Sequence, residues 1–328
     1  MSQALETGGA SDELATRHED GHEPAPELEQ QPFRIGRFTI LRRLGRGGMG
    51  VVYAAYDDRL DRKIALKLVY ASPQDGSLGQ TRLLREAQAL ARLSHPNVVQ
   101  IYEVGEHDRQ VFLAMEFVSG VTLRGWSRAG AHGWREILAV YLQAGRGLAA
   151  AHAAGLVHRD FKPDNAVLAD DGRVRVLDFG LARALLDESD DSPAHSNCLA
   201  QLDSQDLTNP LTAAGTLLGT PAYMSPEQLL RHPTDARSDQ YSFCVALWEA
   251  LYGARPFESR TLGELKQRVF SGPPRLPRVR TSVPAHLGRV LLRGLAIHPD
   301  RRYPDMDALL RDLADDGRVR VLDFGLAR

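Results

Sequence analysis

Residues 158–165 read His158-Arg159-Asp160-Phe161-Lys162-Pro163-Asp164-Asn165, and Asp178-Phe179-Gly180 follows downstream. Asp160 offers a carboxylate that can orient a hydroxyl and accept its proton. Lys162 offers a cation to face developing negative charge. Asn165 and Asp178 offer hard oxygen donors of the kind Mg²⁺ takes. Phosphoryl transfer needs this combination of groups.

Working outward, residues 135–154 carry apolar side chains on one side (Ile137, Leu138, Tyr141, Ala144, Leu148, Ala151), which predicts a long amphipathic helix leading into the stretch. Two short strands are expected around 166–168 and 174–177. Nearer the N-terminus stands Gly45-Arg46-Gly47-Gly48-Met49-Gly50-Val51-Val52. Glycines let a backbone approach phosphates and turn where a Cβ would clash. The pattern also marks dinucleotide folds and plain tight hairpins. A strand rather than a helix follows it here, which argues against the dinucleotide reading. Lys67 ends the strand-like Ala65-Leu66-Lys67, and Glu86 lies on the helical stripe of residues 81–93. A Lys67–Glu86 pair would hold the ammonium against phosphates. A surface pair with Arg82, four residues earlier, is the competing role for Glu86.

In this order the motifs resemble the eukaryotic-type protein kinase family, in its bacterial Ser/Thr group, over about residues 37–313. The resemblance implies an α+β fold of two lobes. A small β-rich lobe of five strands and one helix would span 33–117, and a larger helical lobe 118–312. It implies ATP and Mg²⁺, with Mn²⁺ as a substitute. Gly45, Gly47 and Gly50 would cover the phosphates, and Lys67, held by Glu86, would contact them. Val52 and Ala65 would sandwich the adenine, Met115 would be the gatekeeper, and Glu116 to Val118 the hinge. Asp160 would be the catalytic base, Lys162 would stabilise the transferring phosphate, and Asn165 and Asp178 would hold the metal. Thr220 and Glu227 belong to a docking segment, Gly219-Thr220-Pro221-Ala222-Tyr223-Met224-Ser225-Pro226-Glu227, with Glu227 paired to Arg302. Asp239 matches a buried helix carboxylate that braces the catalytic loop. Leu90, Ile101, His158 and Phe179 match an apolar stack between the lobes, which makes His158 structural.

Arg159, just before the catalytic carboxylate, is expected to receive a phosphate from the polar segment 183–215. Thr212 is the first choice of acceptor and Thr216 the second, since a phosphate offers an arginine charge and several acceptor oxygens. The plain alternative is that this Ser- and Asp-rich stretch is only a solvated insert. Two departures stand out. Phe161 replaces the usual leucine, and the run from Asp178 to Glu227 is long, with an insertion around 185–207.

Rival functions are a pseudokinase scaffold and a small-molecule phosphotransferase. Loss of Lys67, Asp160 or Asp178 would favour the first, and none is lost. The docking segment, Asp239 and Arg302 argue against the second, because they serve peptide docking. Lys162 followed by Pro163 resembles the Ser/Thr rather than the Tyr signature. Protein substrates are therefore expected, with a homodimer for autophosphorylation in trans.

Net charge is −2, so no field points to nucleic acid or a membrane surface. Residues 1–31 hold eight acidic residues and one arginine, which leaves the remainder near neutral-to-basic. Residues 1–32 are poor in large apolar side chains and read as a disordered acidic tail. The two cysteines, Cys198 and Cys244, form no metal motif, and no signal peptide or apolar run long enough for a bilayer is visible. A cytoplasmic protein is expected. Residues 313–328 repeat residues 168–183 letter for letter, LADDGRVRVLDFGLAR, and are expected to be an inert tail despite their own Asp323-Phe324-Gly325.

Overall fold

The computed structural model describes residues 33–47, 50–69, 76–108, 110–179, 220–277 and 282–315. The expected acidic tail, the polar segment with Thr212 and Thr216, Gly180, and nearly all of the second copy lie outside the described residues.

The N-terminal lobe is one antiparallel sheet built from β1 (Arg34–Ile35), β2 (Phe38–Gly47), β3 (Gly50–Asp57), β4 (Arg62–Val69), β5 (Ile101–His107) and β6 (Gln110–Glu116). Their order across the sheet is β1-β2-β3-β4-β6-β5. Helix α1 (Gly76–Ala91) crosses between β4 and β5 and starts earlier than the apolar stripe implied. Side chains alternate across a strand, so β4 and β6 supply two cores. Ile64, Leu66, Phe112 and Ala114 face one way and join Ile35, Phe38 and Ala55 in a small outer cluster. Ala65, Val69, Val111, Leu113 and Met115 face the other way and join the large core that continues into the C-terminal lobe.

The apolar run that starts at Val98 does two jobs. Val98 and Val99 are both 3% exposed. They pair with β9 (Val174–Val176) of the other lobe: Val99 N donates to Val176 O, and Val176 N to Asn97 O. The strand of the N-terminal sheet begins only at Ile101. A continuous apolar run marks burial, but cannot say which sheet does the burying.

The C-terminal lobe begins with β7 (Gly120–Thr122) and α2 (Leu123–Ala129), capped by Thr122, whose hydroxyl accepts from Gly125 N. Helix α3 (Trp134–Ala153) follows, then a 3₁₀ turn (Pro163–Asn165), β8 (Ala166–Ala169) and β9, with β7, β8 and β9 in one small sheet. After a second 3₁₀ turn (Thr220–Tyr223) come α4 (Pro226–Leu229), α5 (Ala236–Tyr252), α6 (Leu262–Phe270), α7 (Ala285–Gly294) and α8 (Met306–Ala314). Helix α5 is the lobe's axis. Every residue from Ser238 to Trp248 is buried, and the helix stops at Gly253, whose φ of 74° is a left-handed conformation that glycine adopts without strain. Helix α8 packs on α3 so closely that a Cβ at Gly145 would meet Leu310 at 2.4 Å.

Candidate active site

The site lies where the inner face of the N-terminal sheet meets the loop after α3. Register puts Val52 opposite Lys67, Lys67 opposite Leu113, and Ala65 opposite Met115. Residues opposite each other share a face, so Val52, Ala65, Lys67 and Met115 line one surface. Glu116 closes β6, and Val118 follows it. The Glu116 carboxylate pairs with Arg175 of β9 at 2.8 Å, and Lys63 lies over the Phe117 ring at 3.8 Å, so this crossing is held to both lobes.

The glycines differ from one another. At Gly50 φ is 148° and a Cβ would meet Leu68 O at 1.9 Å, so the strand crossing itself demands glycine. At Gly45 and Gly47 a Cβ would meet nothing within 4 Å. The described residues set no demand for glycine there.

Asp160 is buried, and Lys162 Nζ donates to its Oδ2 at 2.9 Å. Asn165 Nδ2 donates to Asp160 O at 2.8 Å and to its Oδ2 at 3.3 Å. Lys67 Nζ pairs with Asp178 Oδ1 at 2.8 Å, and Glu86 Oε1 faces Arg159 Nη1 at 3.9 Å. In place of the Lys67–Glu86 pair read from the sequence, Lys67 takes Asp178, and Glu86 faces Arg159. Burial disfavours a charged Asp178, but Lys67, helped by His158 and Lys162, holds the carboxyl below its usual range.

Two side chains sit on strained backbone. Arg159 has φ 62° and Asp178 φ 53°. For an L-residue that conformation costs roughly 1–2 kcal/mol, so something must hold it. The hold on Arg159 is Asp239, fully buried on α5. Its carboxylate accepts from His158 N at 2.7 Å, Arg159 N at 2.8 Å and His152 Nε2 at 2.7 Å. Gln228 Nε2 clamps the other side, donating to Arg159 O at 2.8 Å. His158 Nε2 is engaged with Leu177 O at 2.8 Å, and its ring packs on Phe179 with centroids 4.7 Å apart. Leu90, Ile101 and Phe179 are all buried in the same core. Phe161 is fully buried against His158 and Phe243, so the larger ring fits. Glu227 and Arg302 make a buried two-pronged pair, both contacts 2.7 Å.

A model of the protein kinase domain matches residues 38–288. The chain is 37% identical over 279 residues to the serine/threonine-protein kinase PknL of Mycobacterium bovis, covering 84% of this chain and 65% of that one. It is 34% identical over 271 residues to PknE of Mycobacterium tuberculosis, covering 82% of this chain and 44% of that one. The chain thus spans less than two thirds of these relatives. The crystal structure of the Mycobacterium tuberculosis PknI kinase domain superposes with a TM-score of 0.63 at 26% identity, over 86% of this chain and 97% of that one. The chain belongs to the protein kinase domain family. Its two lobes are the family's fold.

Within the kinase, sequence reasoning missed three supports. Gln228 also caps α4, its Oε1 accepting from Ser225 N at 3.0 Å. An S-x-x-Q capping box could have flagged it. His152 beneath Asp239 carried no signal of its own. Arg124 bonds both oxygens of Asp164, at 2.9 and 2.8 Å, across a gap in sequence that no local pattern reveals. No group of three or more His, Cys, Asp or Glu among the described residues could hold a metal alone. Asn165 and Asp178 are the oxygen donors that the sequence points to. Among the described residues no helix is long and apolar enough to cross a membrane.

Proposed function

We propose that this chain is a Ser/Thr protein kinase that transfers the γ-phosphate of ATP to hydroxyls of protein substrates. The observation that carries this reading is the cluster of Asp160, Lys162 and Asn165, linked by the bonds given above, together with the Lys67–Asp178 pair. Asp160 would orient the acceptor hydroxyl and take its proton at the carboxylate. Lys162, already on Asp160, would face the phosphate being moved. Lys67 would hold nucleotide phosphates, and Asn165 with Asp178 would hold the divalent cation. That cation would neutralise charge on the phosphate oxygens. Val52, Ala65 and Met115 would enclose the base beside the Glu116–Val118 crossing. Gly45, Gly47 and Gly50 would cover the phosphates. Thr220 and Glu227 would seat the peptide.

Autophosphorylation of Thr212 or Thr216, in trans between two copies, would place a phosphate for Arg159. Mg²⁺ as the working cation, Mn²⁺ as its substitute, and a cytoplasmic setting belong to the same proposal. Labelled ATP with a generic basic protein, followed by phosphoamino-acid analysis, tests it. Phosphoserine or phosphothreonine is expected. Nucleotide binding without any transfer would favour a scaffold instead.

A further inference from the structure

Beside the docking turn, four side chains from four elements meet. Arg124 comes from α2, Asp164 from the turn that carries Asn165, Tyr223 from the turn after Thr220, and Glu249 from α5. Arg124 Nε bonds both oxygens of Asp164, its Nη2 donates to the Tyr223 hydroxyl, and its Nη1 lies 3.7 Å from Glu249 Oε1. The Tyr223 hydroxyl in turn donates to Glu249 Oε2. Asp164 stands four residues after Asp160, and Tyr223 three after Thr220. The network therefore borders the ground where a substrate peptide would lie.

Its charges do not cancel. One guanidinium faces two carboxylates, and the side chains of Asp164, Glu249 and Arg124 are 43%, 26% and 23% exposed. Solvent, and so a peptide side chain, reaches the group. The pocket demonstrably fits a guanidinium, because the chain's own arginine fills it. A substrate arginine seeking the same carboxylates would have to compete with one that is tethered and already bonded.

We propose that Arg124 sets substrate preference: it occupies a subsite that would otherwise select Arg or Lys near the acceptor hydroxyl. The inference rests on the protein kinase reading above. With Arg124 in place, only the leftover single negative charge acts on a peptide cation, and salt screens that. Without it, Asp164 and Glu249 lose their cation and remain within reach of a peptide side chain.

The test is a set of Ser and Thr peptides varied one position at a time, phosphorylated by the full chain. Wild type should favour Arg or Lys by under about twofold at any position. Arg124→Ala should favour them by about fivefold or more at one position, and less so at high salt. Arg124→Gln keeps most of the side chain and removes the charge, so it reports the same gain if the alanine form fails to fold. Arg124→Lys should return the preference toward wild type, and adding Glu249→Gln to Arg124→Ala should shrink the gain. A uniform loss of rate in both charge-free variants, with preferences unchanged, would make Arg124 purely a structural tie and overturn the proposal. So would strong selection of Arg or Lys by wild type that survives the substitutions. If wild type labels no Ser or Thr peptide, the kinase reading falls and takes this one with it.

Discussion

Arg159 and Asp178 hold backbone conformations that their side chains resist, and both stand next to the chemistry. Strain of that kind persists where surrounding bonds over-determine it. The residues in reach of Asp160 then have separable roles. Asp160→Asn should cut peptide phosphorylation by roughly 10²–10⁴, the usual worth of general-base help, in a protein that still folds. Asp178→Asn should abolish metal-dependent transfer in a folded protein; undiminished labelling would refute the metal role. Lys67→Met removes the partner that holds the Asp178 carboxyl low, so the carboxyl should rise toward its ordinary range. In that variant, proton release followed by NMR of the side-chain carboxyls should move Asp178 upward. An unmoved value would mean that Lys67 is not the cause.

Among the elements, Glu227 of α4 and Arg302, just after a 3₁₀ turn (Pro299–Arg301), form a buried pair, and Arg302 also donates to Arg237 O of α5. Removing one member of such a pair leaves an uncompensated buried charge, so Arg302→Met should cost about 3–5 kcal/mol in denaturant unfolding. Acid should act through the same residues. Burial opposes the charged forms of Glu227 and Asp239, but Arg302 at the one and His152 at the other hold both carboxyls below their ordinary range. Their contribution is complete above the unfolded carboxylate range near pH 4 and is lost as pH falls through the lower folded values. Unfolding midpoints measured downward from pH 6 should therefore fall mainly below about pH 4, and Arg302→Met should flatten that fall. Helices α6, α7 and α8 were legible because each carries an apolar side, and α6 and α8 are capped at Thr261 and Asp305, so their signals are local; α5 is buried all round and α4 is only four residues long. Elements without a period were less so. Two-residue β1 is too short to show one, and Val98–Val99 carried a burial signal whose partner strand lies far away in sequence. The motif residues around Asp160 were readable as a linear string. Their pairings were not: which cation Asp178 takes, or that Arg124 reaches Asp164, depends on how distant segments are brought together.

For the molecule as a whole, the second copy of LADDGRVRVLDFGLAR is proposed to be an inert tail. In the first copy Val174 and Val176 are fully buried against α3 and the Asn97–Val99 segment. One such place exists among the described residues, and the first copy fills it. Deleting 315–328 should leave peptide kinetics unchanged within about twofold and solubility equal or better. A several-fold rise in turnover would instead identify the second copy as an inhibitor in cis. The tether from His158 and Arg159 to Asp239 has a further consequence. These two backbone amides donate to a fully buried carboxylate in the first turn of the most buried helix, so their protons should exchange with solvent only when that tether opens. In deuterium exchange they should be among the last to be replaced, at a rate set by unfolding of the entire domain. The loop that carries the reacting carboxylate would then be kinetically part of the core, and nucleotide, peptide and phosphate would come and go around a fixed point.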